Sequence, residues 1–299
     1  MVATKQPLLI NYNWHHAVND QSKLNQVLEK KSVTDNNGAD GRTTATTDAI
    51  EAIEADIIFS EVKSQAVMGH PPLRDSDLTL ASFLHQLSQA KFQQHCSSST
   101  NNPAETEFPV LKLDFKSMTA LKSSLPDIDN YLDNFPSCLR RRVWINADVL
   151  PGPGEDLNDA TAQEEIQPKF EIADFLQVVT TALPGTVLSI GWTTSLTDIG
   201  EPYTDTMVSS MIEFAKPHTE VTFPVRASCF VKSWGALQKL YQINDTWTLT
   251  LWWSHELAKE EFDRIYWTLE NDEKFRNRTY YDLFGFRNYL SMSRYKGLC

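Results

Sequence analysis

Cysteine is scarce in this sequence and too widely spaced to organise a fold. The four cysteines form no Cys-x-x-Cys pair and stand at Cys96, Cys138, Cys229 and Cys299. Zinc knots use closely spaced cysteine pairs, and disulfide frameworks belong to short, cysteine-rich secreted chains. The cysteine pattern indicates neither of them, and we expect reduced thiols.

An excess of positive charge is also missing. The chain has 27 Lys and Arg against 39 Asp and Glu, which gives a formal net charge of -12 and a pI near 5.0. Proteins that bind nucleic acid or membrane surfaces neutralise phosphates with clustered Lys and Arg. The composition therefore argues against a nucleic-acid partner, whereas a small anionic substrate fits if local cations hold it.

Long apolar runs are absent as well. No uncharged apolar stretch reaches the roughly 20 residues that span a membrane, and the first ten residues lack the apolar core of a signal peptide. We therefore expect a cytoplasmic protein without a transmembrane segment. Nothing in the pattern predicts an oligomeric state.

The segments that are present alternate between strands and helices. With 299 residues, 41% of them hydrophobic, the chain has room for a barrel of about 250 residues. Apolar segments predict eight strands, near 8–14, 49–59, 109–116, 143–148, 186–192, 221–226, 247–253 and 280–284. Each is followed by a helix or a helix-bearing connection, which predicts an α/β fold of the (β/α)8 barrel type, with its site at the carboxyl ends of the strands.

Three features modify this simple pattern. The polar stretches 31–48 and 94–107 predict flexible inserts in one domain that covers residues 1–299. The short apolar run before His70 reads as an insertion after the second strand. Pro224 lies inside a predicted strand and cannot donate to the ladder, so we expect a bulge there.

The second predicted strand carries two carboxylates on one face. Successive side chains of a strand point to opposite faces, so Glu54 and Asp56 share one face, and Ile53, Ala55 and Ile57 share the other. Two like charges in an apolar strand are costly unless a cation or a donor cluster compensates them. The pattern favours a metal site; an edge strand whose acids face water is the alternative.

The third predicted strand has the same design. Lys112, Asp114 and Lys116 share one face, and the opposite face is entirely apolar. Such a strand fits a barrel in which the apolar face packs against helices and the charged face lines a polar site. Asp114 would then be a third oxygen ligand. A solvent-exposed ladder of charges fits this stretch equally well.

Taken together, these residues suit phosphoryl chemistry. The three carboxylates Glu54, Asp56 and Asp114 suit Mg²⁺ or Ca²⁺, because zinc more often recruits histidines or thiols. His16 and His70 are then available for proton transfer, and we expect the adjacent His15 to point away. Further polar or aromatic residues near strand ends are candidates for substrate binding: Lys112, Lys116, Asn146, Asp148, Trp192, Arg226 and Trp252.

Eight segments, in order along nearly the whole chain, resemble the menorin family in its soluble, single-domain branch. They are Trp14-His15-His16-Ala17, Ile53-Glu54-Ala55-Asp56, Gly69-His70-Pro71-Pro72, Leu111-Lys112-Leu113-Asp114-Phe115-Lys116, Trp144-Ile145-Asn146-Ala147-Asp148, Gly191-Trp192-Thr193-Thr194, Thr222-Phe223-Pro224-Val225-Arg226 and Leu249-Thr250-Leu251-Trp252.

Menorin-like domains in turn resemble phospholipase-C-like phosphodiesterases, which include glycerophosphodiester phosphodiesterases. This wider resemblance implies Mg²⁺ or Ca²⁺ on the three carboxylates, His16 and His70 as an acid/base pair, and Lys116 near the phosphate. Glycerophosphodiesterases usually follow their first histidine with Arg-Gly and the second with Asp, whereas this chain has Ala17-Val18 and Pro71-Pro72.

The resemblance implies a metal-dependent phosphodiesterase or lyase that acts on a small or lipid-derived phosphodiester. The alternative is a non-catalytic ligand-binding or adaptor protein of the menorin type.

Overall fold

The computed structural model describes residues 12–32, 51–90, 109–134, 137–153, 168–194 and 201–294. These segments contain nine strands: β1 (Trp14–His15), β2 (Ala52–Ser60), β3 (Gln65–Met68), β4 (Val110–Phe115), β5 (Val143–Leu150), β6 (Val187–Trp192), β7 (Val221–Arg226), β8 (Thr248–Trp253) and β9 (Thr279–Leu283). They also contain a 3-10 helix at Ser137–Arg142 and the α-helices α1 (Gln21–Ser32), α2 (Leu80–Gln89), α3 (Met118–Asp133), α4 (Ile172–Ala182), α5 (Asp205–Ala215), α6 (Ala227–Ile243), α7 (Lys259–Glu270) and α8 (Phe286–Arg294).

The strands follow chain order in one sheet. The order is β1-β2-β4-β5-β6-β7-β8-β9, and β3 pairs antiparallel with β2 as a hairpin outside this path. The pairs β1–β2, β2–β4, β6–β7, β7–β8 and β8–β9 are parallel. Parallel strands in chain order that alternate with helices form a (β/α)8 barrel, so the predicted fold class is confirmed.

Most predicted strands lie close to the observed ones; the strand predicted at 221–226, for example, is β7, Val221–Arg226. The predicted first strand, 8–14, falls largely outside the described residues, as do the two predicted inserts apart from the end of α1 at Ser32. Across the described segments, none of the helices has the length and apolar character needed to cross a membrane.

The chain divides into two compact units. The N-terminal unit comprises Asn13–Ile145 and Val178–Thr186, and the C-terminal unit comprises Met1–Tyr12, Asn146–Gln177 and Val187–Cys299. All three predicted metal ligands and both predicted catalytic histidines belong to the N-terminal unit. A single domain over residues 1–299 stays a prediction.

Strands β2 and β4 form the centre of the N-terminal unit. Every residue of β2 except Phe59 is buried, because a parallel strand inside a barrel is covered on both faces. The pairing aligns Glu54 with Lys112 and Asp56 with Asp114. One face of this strand pair is therefore charged and enclosed, and the other is apolar.

The C-terminal unit corrects one prediction. We expected Pro224 to force a bulge in β7, but β7 pairs with β8 without an inserted residue, from Thr222↔Thr248 through Pro224↔Thr250 to Arg226↔Trp252. The missing N–H of a proline affects only one side of its strand. On the side of β6 the pairing consists of Leu188↔Val221 and Ser189↔Thr222, before the proline is reached.

Candidate active site

Three carboxylates meet on the adjacent strands β2 and β4. Glu54 and Asp56 lie two residues apart on β2, and the strand register places Asp114 beside Asp56. One ligand oxygen from each carboxylate lies within 4.8 Å of the other two. Glu54 and Asp56 are only 2% and 5% exposed. The alternative of an edge strand whose acids face water is therefore wrong.

The turn after β1 wraps around Glu54. The Ala17 N–H donates to Glu54 Oε2 over 2.7 Å, and the Val18 N–H donates to the Glu54 carbonyl oxygen over 2.9 Å. Ala17 has a φ of 52°, in the left-handed region that costs an L-residue about 1–2 kcal/mol. Backbone strain of this kind is concentrated at functional sites.

The environment of Glu54 disfavours its charged form. Burial is the main influence and raises the pKa of the Glu54 carboxyl group; His16 lowers this pKa, Asp56 raises it, Lys112 lowers it and Asp114 raises it. His16 Nδ1 lies 3.2 Å from Glu54 Oε2. A further cation beside Glu54 would favour the ionised carboxylate.

Asp56 has the opposite balance. Burial, its largest single influence, acts to raise the pKa of the carboxyl group, but Lys116, Asn19 and His70 together lower it below its ordinary value. Lys116 Nζ lies 2.7 Å from Asp56 Oδ1 and 2.8 Å from Asp114 Oδ2. The lysine ammonium thus bridges two of the three carboxylates.

Asn19 clamps Asp56 from the other side. Its Nδ2 donates to Asp56 Oδ2 over 2.7 Å, and its Oδ1 accepts from the Asp56 backbone N–H over 2.8 Å. The bond to the backbone anchors the Asn19 amide, and the bond to Oδ2 orients the Asp56 carboxylate, whose Oδ1 accepts from Lys116. Asn19 therefore orients a candidate ligand without itself belonging to the carboxylate cluster.

The donor set fits a hard divalent cation. Mg²⁺ and Ca²⁺ bind carboxylate oxygens, and three such oxygens meet here beside no thiol among the described residues. The positively charged ammonium of Lys116 already lies against two of them. Glu54, Asp56 and Asp114 would hold the cation.

The two predicted catalytic histidines lie near these carboxylates and are solvent-exposed. His16 follows β1 and places its Nδ1 against Glu54, whereas His15 pairs with Ile53 on the opposite face of the strand. His70 follows β3, and the preceding Gly69 N–H donates to the Asp56 carbonyl oxygen over 2.9 Å. The antiparallel hairpin β2–β3 thus returns the chain to the level of Asp56.

Each of these histidines has its Nδ1 engaged. His70 Nδ1 donates to the Pro71 carbonyl oxygen over 2.6 Å, and His16 Nδ1 faces the Glu54 carboxylate. In a neutral imidazole whose Nδ1 carries the proton, Nε2 is the basic nitrogen. His70 therefore has Nε2 as its proton acceptor in the neutral form.

Lys112 is the second cation of the predicted substrate-binding set. It is 4% exposed and is paired across the strands with Glu54, whose pKa it helps to lower. A buried charge of this kind excludes the alternative of a solvent-exposed ladder on β4. The position suits a residue that balances the charge of Glu54.

The five other predicted substrate-binding residues lie on strands β5 to β8 of the C-terminal unit, and their role stays a prediction. Asn146 is buried and accepts a hydrogen bond from Ser189 Oγ over 2.5 Å. Asp148 approaches Gly191 so closely that a Cβ there would lie 2.7 Å from Asp148 Oδ1. Gly191 therefore provides the space that the carboxylate occupies.

The aromatic and cationic members of this set contact other aromatic rings of the same unit. Trp192 is buried, and its ring centroid lies 5.1 Å from that of Tyr203. Arg226 places its guanidinium 4.5 Å from the centroid of the Trp253 ring, a cation–π geometry. Trp252 is half-buried.

The family model described as the Menorin N-terminal domain matches residues 9–287. The chain belongs to the menorin family. Human protein FAM151B is 29% identical over 248 residues, which cover 80% of this chain and 71% of the relative.

Two solved structures are similar at lower levels. A putative glycerophosphodiester phosphodiesterase from Galdieria sulphuraria is 14% identical, with a TM-score of 0.44, over 81% of this chain and 86% of its own. The 3-keto-D-glucoside 4-epimerase of E. coli is 12% identical, with a TM-score of 0.39, over 71% of this chain and 85% of its own.

Sequence reasoning missed Asn19 and Ala17 in this menorin-family site. Both act on carboxylates 37 residues further along the chain, and neither belongs to a residue type that signals a metal site. The only signal was position, because both follow His16 directly after the first strand. Such a turn lies at the site face of a barrel.

We predict that Asn19→Leu lowers the affinity for Mg²⁺ about 10–100-fold, the usual effect of losing a partner that orients a metal ligand. Leucine has a similar shape but can neither donate to Asp56 Oδ2 nor accept from its backbone N–H. Isothermal titration calorimetry measures the affinity. Asn25→Leu, on the exposed side of α1, is the control. Equal Mg²⁺ affinity in Asn19→Leu and Asn25→Leu would show that Asn19 does not orient Asp56 as a metal ligand.

Proposed function

We propose that this menorin-family protein is a divalent-cation-dependent phosphodiesterase or lyase that acts on a small or lipid-derived phosphodiester. One observation carries the proposal: Glu54, Asp56 and Asp114 place ligand oxygens within 4.8 Å of one another beside two exposed histidines and a lysine. This set offers a cation site, two proton carriers and a charge for the phosphate.

The cation, Mg²⁺ or Ca²⁺, would be held by the three carboxylates and would supply positive charge to the phosphoryl oxygens. The ammonium group of Lys116 adds a second positive charge, which can stabilise phosphate oxygens through charge-assisted hydrogen bonds. The Asn19 clamp and the Ala17 N–H keep Asp56 and Glu54 in fixed orientations. Orientation before the substrate arrives lowers the cost of binding it.

His16 and His70 divide the proton transfers between them. One removes the proton from the attacking oxygen, and the other donates a proton to the leaving oxygen. In a hydrolase the attacking oxygen belongs to water; in a lyase it is a hydroxyl of the substrate, and the product is cyclic. Both side chains are solvent-exposed, so a substrate can reach them.

Two exposed aliphatic residues on neighbouring loops are compatible with a substrate that has an apolar portion. Val62, at the tip of the β2–β3 hairpin, is 86% exposed, and Leu73, three residues after His70, is 60% exposed. Lys63 donates to Asp75 over 2.9 Å and so ties the two loops together. Exposed aliphatic groups on a fixed loop pair suit contact with a lipid-derived chain.

A panel of phosphodiesters tests this function. The protein is freed of metal with EDTA and supplied with Mg²⁺, Ca²⁺ or neither, and glycerophosphocholine, lysophosphatidylcholine and bis(4-nitrophenyl) phosphate are offered as substrates. We expect turnover of at least one of them only with the cation, and ³¹P NMR distinguishes a hydrolysed from a cyclic product. The matched control is the double variant His16→Asn/His70→Asn.

A non-catalytic ligand-binding protein is the second candidate. It is favoured by Lys116, which already compensates the charges of Asp56 and Asp114. Binding of a phosphodiester without turnover, in the presence of either cation, would establish this candidate instead of the enzyme.

A further inference from the structure

We propose that Lys116 is the resident cation of the carboxylate cluster, and that a divalent cation binds by exchange with it and releases the ammonium to bind phosphate. The proposal rests on the proposed function, because it concerns the same site. It makes phosphate binding depend on prior cation binding.

The ammonium group of Lys116 lies between two of the three candidate ligands. Lys116 Nζ lies 2.7 Å from Asp56 Oδ1 and 2.8 Å from Asp114 Oδ2. Both oxygens belong to the carboxylates that would hold a divalent cation. Two cations on the same pair of oxygens repel each other, so the divalent cation and the ammonium compete.

Only Asp56 and Asp114 take part in the exchange with Lys116. Glu54 is held by the Ala17 N–H and His16 Nδ1 rather than by Lys116. Glu54 therefore offers an oxygen for which an arriving cation meets no competition from Lys116.

The side chain of Lys116 can move while its backbone stays in place. Its backbone is fixed, because the Lys116 N–H donates to the Ile57 carbonyl oxygen over 3.0 Å. Its side chain is partly exposed and has four flexible methylene groups, so the ammonium can move while the strand end stays in place.

The consequence is a site in which two ligands cooperate. Without a divalent cation, the ammonium is occupied by Asp56 and Asp114 and has little charge to offer a phosphate. After the exchange, its three donors are available for phosphoryl oxygens. By linkage, the phosphate then strengthens cation binding by the same factor.

Calorimetry of Mg²⁺ binding to the full chain tests the exchange. We expect Lys116→Met to bind Mg²⁺ about 10-fold more tightly or better, because occupation of a site by a competitor lowers the apparent affinity by the fraction of open sites. Lys116→Arg keeps the charge and should bind no more tightly than the parent. Lys63→Met, which removes an exposed ion pair with Asp75 in the same unit, should leave the affinity unchanged.

Inorganic phosphate is the second probe. The parent should bind phosphate only when Mg²⁺ is present, and Lys116→Met should bind it weakly with or without Mg²⁺. If Lys116→Met does not fold, Lys116→Gln replaces it as the neutral variant in both measurements.

The outcomes separate the two proposals. Equal or weaker Mg²⁺ binding by the neutral variant overturns the exchange, while Mg²⁺ binding by the parent leaves the proposed function standing. Mg²⁺ binding by the neutral variant alone would mean that Lys116 keeps the cation out of the parent, which overturns the exchange and removes cation dependence from the proposed function. Absence of binding in both overturns both proposals.

Discussion

Replacing His16 or His70 with asparagine should lower phosphodiester turnover about 10²–10⁴-fold, the usual contribution of general acid–base catalysis. Asparagine can still donate to Glu54 or to the Pro71 carbonyl oxygen, which now accept from the histidine Nδ1. It has no basic nitrogen, so one proton transfer is lost while the local hydrogen bond is kept. The fold and Mg²⁺ affinity should therefore match those of the parent.

The pH dependence of kcat/KM provides a second readout of this prediction. The parent should show a bell-shaped profile, since one histidine must be neutral and the other protonated. Each single variant should lose one limb of the bell. His85→Asn, on the exposed side of α2, is the control and should keep both the rate and the profile.

His15→Asn decides whether the register of the first strand is right. His15 pairs with Ile53, on the face opposite to Glu54. A loss of turnover in His15→Asn, with full activity in His16→Asn, would assign the proton transfer to His15 and show that the register is wrong by one residue. Loss in both variants, with a lower unfolding midpoint for His15→Asn, would indicate a structural contribution from His15.

The parts of the site that could be predicted are those coded by local periodicity. Glu54 and Asp56 alternate with buried apolar residues, and Lys112 and Asp114 do the same on β4, so each charged face was visible within eight residues of sequence. The barrel order then brings adjacent parallel strands together. Periodicity and topology suffice to place the three carboxylates side by side.

The parts that could not be predicted depend on side-chain contacts between distant segments. The Asn19 clamp joins residues 37 positions apart, and nothing in the alternation of polar and apolar residues encodes it. Lys116 was expected near a phosphate, yet its ammonium lies on Asp56 and Asp114. A flexible lysine goes to the nearest negative charge, and the three-dimensional fold decides which charge is nearest.

The hairpin that carries His70 illustrates the same limit for the backbone. The run Ala66-Val67-Met68 was recognised as an insertion, but three residues are too few to show which strand they pair with. The structure pairs β3 antiparallel with β2, with Met68 opposite Ile57. This pairing brings Gly69 and His70 back to Asp56, which sequence spacing alone would not reveal.

Asp56→Asn should weaken Mg²⁺ binding more than 100-fold, beyond the 10–100-fold typical of losing a residue that only orients a ligand. It removes a carboxylate from the cluster and introduces an NH2 group that has no suitable position. Asp56 Oδ1 accepts from Lys116 and Oδ2 accepts from Asn19 Nδ2. Either orientation of the asparagine amide therefore places one donor against another.

The same clash predicts a loss of stability. An unsatisfied buried polar group costs about 1–3 kcal/mol, so the free energy of unfolding without a divalent cation should fall by about that amount. Urea unfolding measures the stability, and calorimetry measures the affinity. Asp75→Asn, which alters the exposed pair with Lys63, should leave both quantities near those of the parent. If Asp56→Asn binds Mg²⁺ as tightly as Asp75→Asn does, the cation site is not this carboxylate cluster, and the phosphodiesterase proposal loses its cation. If the stability falls while the Mg²⁺ affinity stays unchanged, the role of Asp56 is to hold Lys116.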